Sequence, residues 1–138
     1  RVRQILKNLS ERYYLIILSN SSEKLVHEIL AQLEIREFFI KILCGDKIPY
    51  PKPHPEAFVD VRERDIFVGN SFNKDLKIPK EKGAITILVS DIPHPEADFN
   101  IKKIYEISEV MSQIESEFFA RWNCKKKAMC KNYFLRIT

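Results

Sequence analysis

Four short, apolar, β-prone runs, at residues 13–18, 38–44, 65–68 and 84–89, alternate with segments patterned for helices. Strands separated by helices and short connections belong in a parallel sheet covered on both faces, because a parallel pair needs a crossover and the crossover helix packs on the sheet. The expected fold class is therefore α/β with three layers. Val2, Ile5, Leu6 and Leu9 stand at helical spacing before the first run. After it, Leu25, Val26, Ile29, Leu30 and Leu33 are expected as one buried helical stripe, with Asn20 as the cap and Glu23 completing a capping box. Four prolines within 49–55 predict a stiff extended loop, and Pro55 opens a short helix through about residue 62. A brief helix at 75–82 should stop at Gly83, residues 101–105 should form an edge strand, and Val110, Met111, Ile114, Phe118 and Phe119 a last helix.

A chain of 138 residues, 45% hydrophobic, has material for one domain with a real core, and its three glycines and 30% charged residues exclude collagen-like and broadly disordered classes. The net charge of +4 is unevenly placed. Arg121, Lys125, Lys126, Lys127, Lys131 and Arg136 put +6 and no acid into residues 121–138, which leaves −2 for residues 1–120. The body is thus near neutral, which argues against nucleic acid as its partner, and the expected division is a core over 1–120 and a basic aromatic tail over 121–138. That tail, with Trp122, Tyr133 and Phe134 among its lysines, is the place where a polyanion would be contacted.

Cys44, Cys124 and Cys130 are an odd count without metal or redox spacing, so reduced thiols and a cytoplasmic location are expected. No apolar run approaches the roughly 18 residues of a membrane span. The chain opens at Arg1 directly into an amphipathic helix, which reads as the downstream piece of something longer. Pro-His-Pro-Glu-Ala occurs at 53–57 and again at 93–97; the flanks differ, and the reading is coincidence. His27 is read as solvated, His54 and His94 lack companions at metal spacing, and Cys44 is read as a small buried hydrophobe.

In parallel α/β sheets the chemistry sits at the carboxyl ends of the strands. Here those ends carry Ser19-Asn20-Ser21 and Gly69-Asn70-Ser71, with Asp75 following, and between them comes Lys52-Pro53-His54-Pro55-Glu56-Ala57-Phe58. A phosphoryl group in flight spreads negative charge over several oxygens, so a site for it needs a short hydroxyl with backbone N–H groups at a helix start, a cation, and carboxylates to hold a metal. Ser19 fits the first need, Lys52 the second, and Asp75 with Asn70 the third.

The three segments in this order resemble the haloacid dehalogenase (HAD) superfamily of hydrolases. The resemblance implies a Rossmann-like core and Mg²⁺-dependent phosphatase chemistry on a small phosphorylated substrate. Lys52 and Asp75 would be catalytic, Ser19, Asn20 and Lys52 would bind phosphate, and Asn70 and Asp75 would bind the metal. Two departures stand out. The family's Asp-x-Asp, whose first aspartate is the nucleophile, occurs nowhere in the chain, and Asn70 stands where the family has aspartate. The expectation is a truncated or degenerate core, inactive alone and weak for Mg²⁺. The alternative is a non-catalytic binding module that keeps the fold.

The absent motif also removes a strand. In the family that strand lies mid-sheet, between the strand ending at Ser19 and the one ending at Gly69. The sheet is therefore expected to be incomplete at its N-terminal strand. It must close directly, borrow a strand from a partner chain or second copy, or belong to a longer polypeptide, and the last of these is favoured.

Overall fold

The structure, a computed structural model, describes residues 1–117 and 134–137. The order of the main elements is α1 (Val2–Ser10), β1 (Tyr14–Ser19), α2 (Glu23–Leu33), β2 (Phe39–Cys44), β3 (Ile66–Gly69), α3 (Lys77–Glu81), β4 (Ile85–Val89), β5 (Phe99–Ile101), α4 (Ile107–Glu117) and β6 (Phe134–Ile137). The strands form one sheet in the order β2-β1-β6-β3-β4-β5, and every pairing is parallel. The side chains of β1, β3 and β4 alternate between two cores, which makes the three layers expected from the alternating pattern. Leu15, Ile17, Ile66, Val68, Ile85 and Ile87 pack with Leu6, Leu9, Val26, Leu30 and the α4 residues Val110, Met111 and Ile114. On the opposite face Leu18, Phe67 and Leu88 pack with Phe58, Phe72 and Leu76. No helix among the described residues is long and apolar enough to cross a membrane.

The expected elements are found with local changes. Instead of Asn20, Ser22 caps α2, its Oγ accepting from the Leu25 N–H at 3.2 Å, while Asp46 accepts from the Glu23 N–H at 2.9 Å. The predicted stripe of α2 is only partly covered. Val26 and Leu30 are buried, but Leu25, Ile29 and Leu33 are each about half exposed, because α2 packs over β2, the edge of the sheet, and overhangs it. The edge strand of the second half lies at 99–101 rather than 101–105, since Glu106 Oε2 accepts from the Lys102 and Lys103 N–H groups and turns the chain there. The segment predicted as a helix over 55–62 is a single 3-10 turn at Pro55–Phe58. Gly83, at φ +93°, ends the stretch after α3 as expected.

The two copies of Pro-His-Pro-Glu-Ala are not a structural repeat of the domain, yet they build the same turn twice. In each, the histidine Nδ1 accepts from the glutamate N–H at 3.1 Å, and the alanine N–H donates to the histidine carbonyl. Each imidazole also stacks on an aromatic ring, His54 on Tyr50 and His94 on Phe72. Identical local sequence therefore sets identical local hydrogen bonding here, although the surroundings differ.

The mid-sheet gap is filled from the chain's own far end, which none of the three expected solutions foresaw. Leu135 stands level with Leu15 and Ile66, Arg136 with Ile16 and Phe67, and Ile137 with Ile17 and Val68. Residues 134–137 thus leave the stretch read as a tail and become a central strand. Buried peptide groups on β1 and β3 demand partners, and this segment supplies them. Trp122, Cys124, Cys130, Lys125 to Lys127, Lys131 and Tyr133 lie outside the described residues, as do Phe118 and Phe119.

Candidate functional site

β1 ends at Ser19, whose Oγ accepts from the Ser21 N–H at 3.1 Å and so turns the chain toward α2. The next side chain reaches across to the proline-rich loop. Asn20 Oδ1 accepts from the Lys52 N–H at 2.9 Å, and Asn20 Nδ2 donates to the Lys52 carbonyl at 2.9 Å. An amide side chain pairing both main-chain groups of one residue fixes that residue much as a strand neighbour would. Asn20, expected to bind phosphate, is therefore occupied in holding Lys52.

The clamp needs a close approach behind it. The Gly45 N–H donates to the Ser21 carbonyl at 3.0 Å, and a Cβ at position 45 would lie 2.1 Å from the Asn20 carbonyl oxygen. Backbone cannot yield as a flexible side chain can. Gly45→Ala is expected to push β1's end and the 45–52 loop apart, to cost about 1–3 kcal/mol as an overpacked site does, and to free Lys52. Urea unfolding measures the cost; an unchanged midpoint would show that the loop yields without strain.

Lys52 runs inward from this clamp and is 6% exposed. Its Nζ donates to Asp75 Oδ1 at 2.9 Å, and both side chains are almost fully buried. Asp75 Oδ2 accepts from the Asn70 and Ser71 N–H groups, each at 3.2 Å. The chain reaches this geometry through a wide π-helical turn, Phe72–Leu76, in which the Asp75 N–H returns to the Ser71 carbonyl. Such turns insert one residue and re-aim a side chain, here the carboxylate, back toward the strand end. Phe72 anchors the turn by stacking on His94 with centroids 3.9 Å apart.

Burial pushes the Lys52 ammonium below its ordinary pKa, and the hydrogen bond and charge of Asp75 pull it part of the way back. Burial likewise raises the thiol of Cys44 at the end of β2, with Asp46 and Glu23 adding to the effect, which suits the packed, unreactive role expected of it.

Three separated segments thus meet in one hydrogen-bonded chain, from Asn20 through Lys52 and Asp75 to the Asn70 and Ser71 amides. Ser19 stands at the same rim but bonds to Ser21. Asn70 is exposed and joins through its backbone N–H. As a magnesium site the residues do not suffice: both oxygens of Asp75 are engaged, and no group of three histidine, cysteine or acidic residues able to hold a metal stands together among the described residues. Gly45 and Ser71 were missed by sequence reasoning. A glycine directly after a strand, in a chain with only three, was the one available signal for Gly45.

A family model described as haloacid dehalogenase-like hydrolase matches residues 1–81, a span that holds Ser19, Lys52, Asn70 and Asp75. The glyceraldehyde 3-phosphate phosphatase of Methanothermobacter thermautotrophicus is 31% identical over 97 residues, covering 64% of this chain and 43% of the relative. The phosphoglycolate phosphatase of Vibrio vulnificus is 28% identical over 127 residues, covering 86% of this chain and 50% of the relative. Among solved structures, a HAD phosphatase from Thermococcus onnurineus superposes with a TM-score of 0.68 at 21% identity, covering 78% of this chain and 55% of that one. A predicted phosphoglycolate phosphatase from Haemophilus somnus gives 0.69 at 25% identity, covering 80% and 55%. The chain spans about half the length of the curated relatives it matches.

Proposed function

Because the chain belongs to the haloacid dehalogenase-like hydrolases, we propose that it supplies the phosphate-holding part of a phosphohydrolase core acting on a small phosphate ester. The relatives named for phosphoglycolate and glyceraldehyde 3-phosphate support a compact substrate of two or three carbons. The observation that carries the reading is the buried Lys52–Asp75 pair at the strand rim, its lysine fixed by Asn20 and its carboxylate by two backbone amides.

In this reading the Ser19 hydroxyl and the first amides of α2 receive phosphate oxygens, and Lys52, with further protons on Nζ beyond the one given to Asp75, neutralises them. Asp75 holds the ammonium in place and keeps it charged. Magnesium, which the family generally uses, would approach Asp75 and Asn70, but this chain's residues do not complete a site for it. Nor is there a nucleophile: the sequence has no Asp-x-Asp, and Phe134–Ile137 brings no carboxylate to the middle of the sheet. The chain alone therefore binds and does not turn over.

Titration with inorganic phosphate tests this. Ser19→Ala and Lys52→Ala are each expected to weaken binding about tenfold or more, the worth of one charge-assisted hydrogen bond. Equal affinity in both variants would overturn the site, and hydrolysis of a chromogenic phosphate by the pure chain would overturn the inactivity. A second reading, a binding module that retains the fold without catalysis, is favoured by one observation: the strand position between β1 and β3 is filled by a segment with no acid. Absence of phosphate binding would leave that reading in possession.

A further inference from the structure

β6 carries an arginine into the middle of a sheet. Arg136 is 5% exposed and stands level with Ile16 and Phe67, on the face of the smaller core. Both terminal nitrogens of its guanidinium are engaged, while the buried Nε has no hydrogen-bond partner among the described residues. Nη1 donates to Asp60 Oδ1 at 2.9 Å, Nη2 to Asp65 Oδ2 at 3.0 Å and to the Asp60 carbonyl at 3.3 Å, and the group lies 5.2 Å from the centroid of Phe67.

All three receptor residues come from residues 60–67, so the socket belongs to the β3 side of the molecule and not to β6. Asp65 is fully buried, and its Oδ1 has no hydrogen-bond partner among the described residues; the nearby Arg62 approaches it only at 3.6 Å. Both carboxylates face the guanidinium at hydrogen-bond distance, whereas the largely exposed Arg62 side chain meets Asp65 only at that longer distance. An occupant without a cation would strand a buried acid. A lysine would bring charge but neither the forked donors that span two acids nor a plane to lie on Phe67.

The socket also fixes register. Side chains alternate with period two, so a slip by one residue would turn the guanidinium to the face carrying Leu15, Ile17, Ile66 and Val68, inside the larger apolar core. We propose that β1 and β3 frame a strand-acceptor site that selects its occupant by a guanidinium, with Asp60, Asp65 and Phe67 as the reader and Phe134–Ile137 as the resident, exchangeable ligand. The partner class is a parallel β-segment of the pattern apolar-apolar-Arg-apolar. Ile137 ends level with Ile17 and Val68, two residues short of Ser19 and Asn70. Whatever strand fills the slot thus directs its next residues to the rim between them.

The test uses the full chain carrying Arg136→Glu, which sets a third acid against the socket and weakens the resident strand. A fluorescent peptide with the sequence of residues 131–138 is titrated into this variant and into the unmodified chain. The variant is expected to bind it at least tenfold more tightly than the unmodified chain. Peptides with leucine or lysine in place of the arginine should bind the variant at least tenfold more weakly. Equal capture by the two chains, or indifference to the arginine, overturns the proposal.

A second measurement stands even if that variant fails to fold. In native-state hydrogen exchange, Arg136→Lys should accelerate the opening of the amides of 135–137 and their partners on β1 and β3 at least tenfold, leaving the β4–β5 amides unchanged. Acceleration spread evenly over the molecule, or none, would mean that β6 does not leave its slot as a unit.

Discussion

A chain cut after residue 133 is expected to lose its cooperative unfolding transition. β6 is aligned at four positions with β1 and at three with β3, and it is the strand that joins the β2–β1 pair to the β3–β4–β5 group. Without it, two facing rows of peptide groups lose their partners beneath α1 and α4. Each buried group left unsatisfied costs about 1–3 kcal/mol, so their permanent loss removes a large part of a typical total stability of about 5–15 kcal/mol. Asp65 would lose the guanidinium that faces it as well. Circular dichroism through a thermal scan should show a broad, weak transition in place of a sharp one. Sedimentation should show association, since two unpaired parallel edges are templates for further strands. A melt identical to that of the intact chain would show that the sheet closes without β6.

The second large effect is expected from breaking the buried pair on one side only. Asp75→Leu leaves the Lys52 ammonium in a site that is almost fully buried, without its carboxylate, and such a loss costs about 3–5 kcal/mol. The double variant Lys52→Met with Asp75→Leu removes both charges and should recover most of that loss, because the desolvation of two ions disappears with them. A double variant as damaged as the single one would show that the site is held by something other than charge pairing.

The sign with pH follows from the lysine. Its pKa in the folded chain lies below the unfolded value because of burial, and Asp75 opposes that shift. Between the folded and unfolded values the unfolded chain holds a proton that the native chain has released, so stability rises with pH across that window. In Asp75→Leu the folded value drops further and the window opens from a lower pH. Urea midpoints measured from about pH 7 to about pH 10, below the ordinary lysine range, should therefore climb more steeply in Asp75→Leu than in the unmodified chain. In Lys52→Met this contribution should vanish.

Much of this site was legible before any coordinates because its chemistry demands particular residue types. A hydroxyl after an apolar strand, a lysine stiffened by prolines and an acid shortly after a Gly-Asn strand end form a short list in any sequence. The Lys52–Asp75 hydrogen bond joins two of its members. What could not be read was how the neighbours divide the work. Asn20 has the same composition whether it caps a helix, binds an anion or grips Lys52; the spacing to Ser22, which takes the cap, does not decide among them. The α2 stripe shows a related limit. Periodicity reports that Leu25, Ile29 and Leu33 share one side of a helix, but not how wide a surface lies beneath it, and the edge strand β2 is too narrow to cover them.

The amino-acid order by itself determined the alternation of strands and helices, the α/β class and the residues gathered at the strand ends, because side-chain period and turn chemistry are local properties. Tertiary structure alone decided which strand stands at the centre. Pairing between β6 and its neighbours joins residues about 70 and 120 positions apart in the chain, and backbone hydrogen bonds carry no sequence label that would announce it. The side chain that gives the placement its specificity, Arg136, looks in the sequence like one more cation in a basic terminus. It gains its meaning only from two distant aspartates and a phenylalanine, which the fold brings around it.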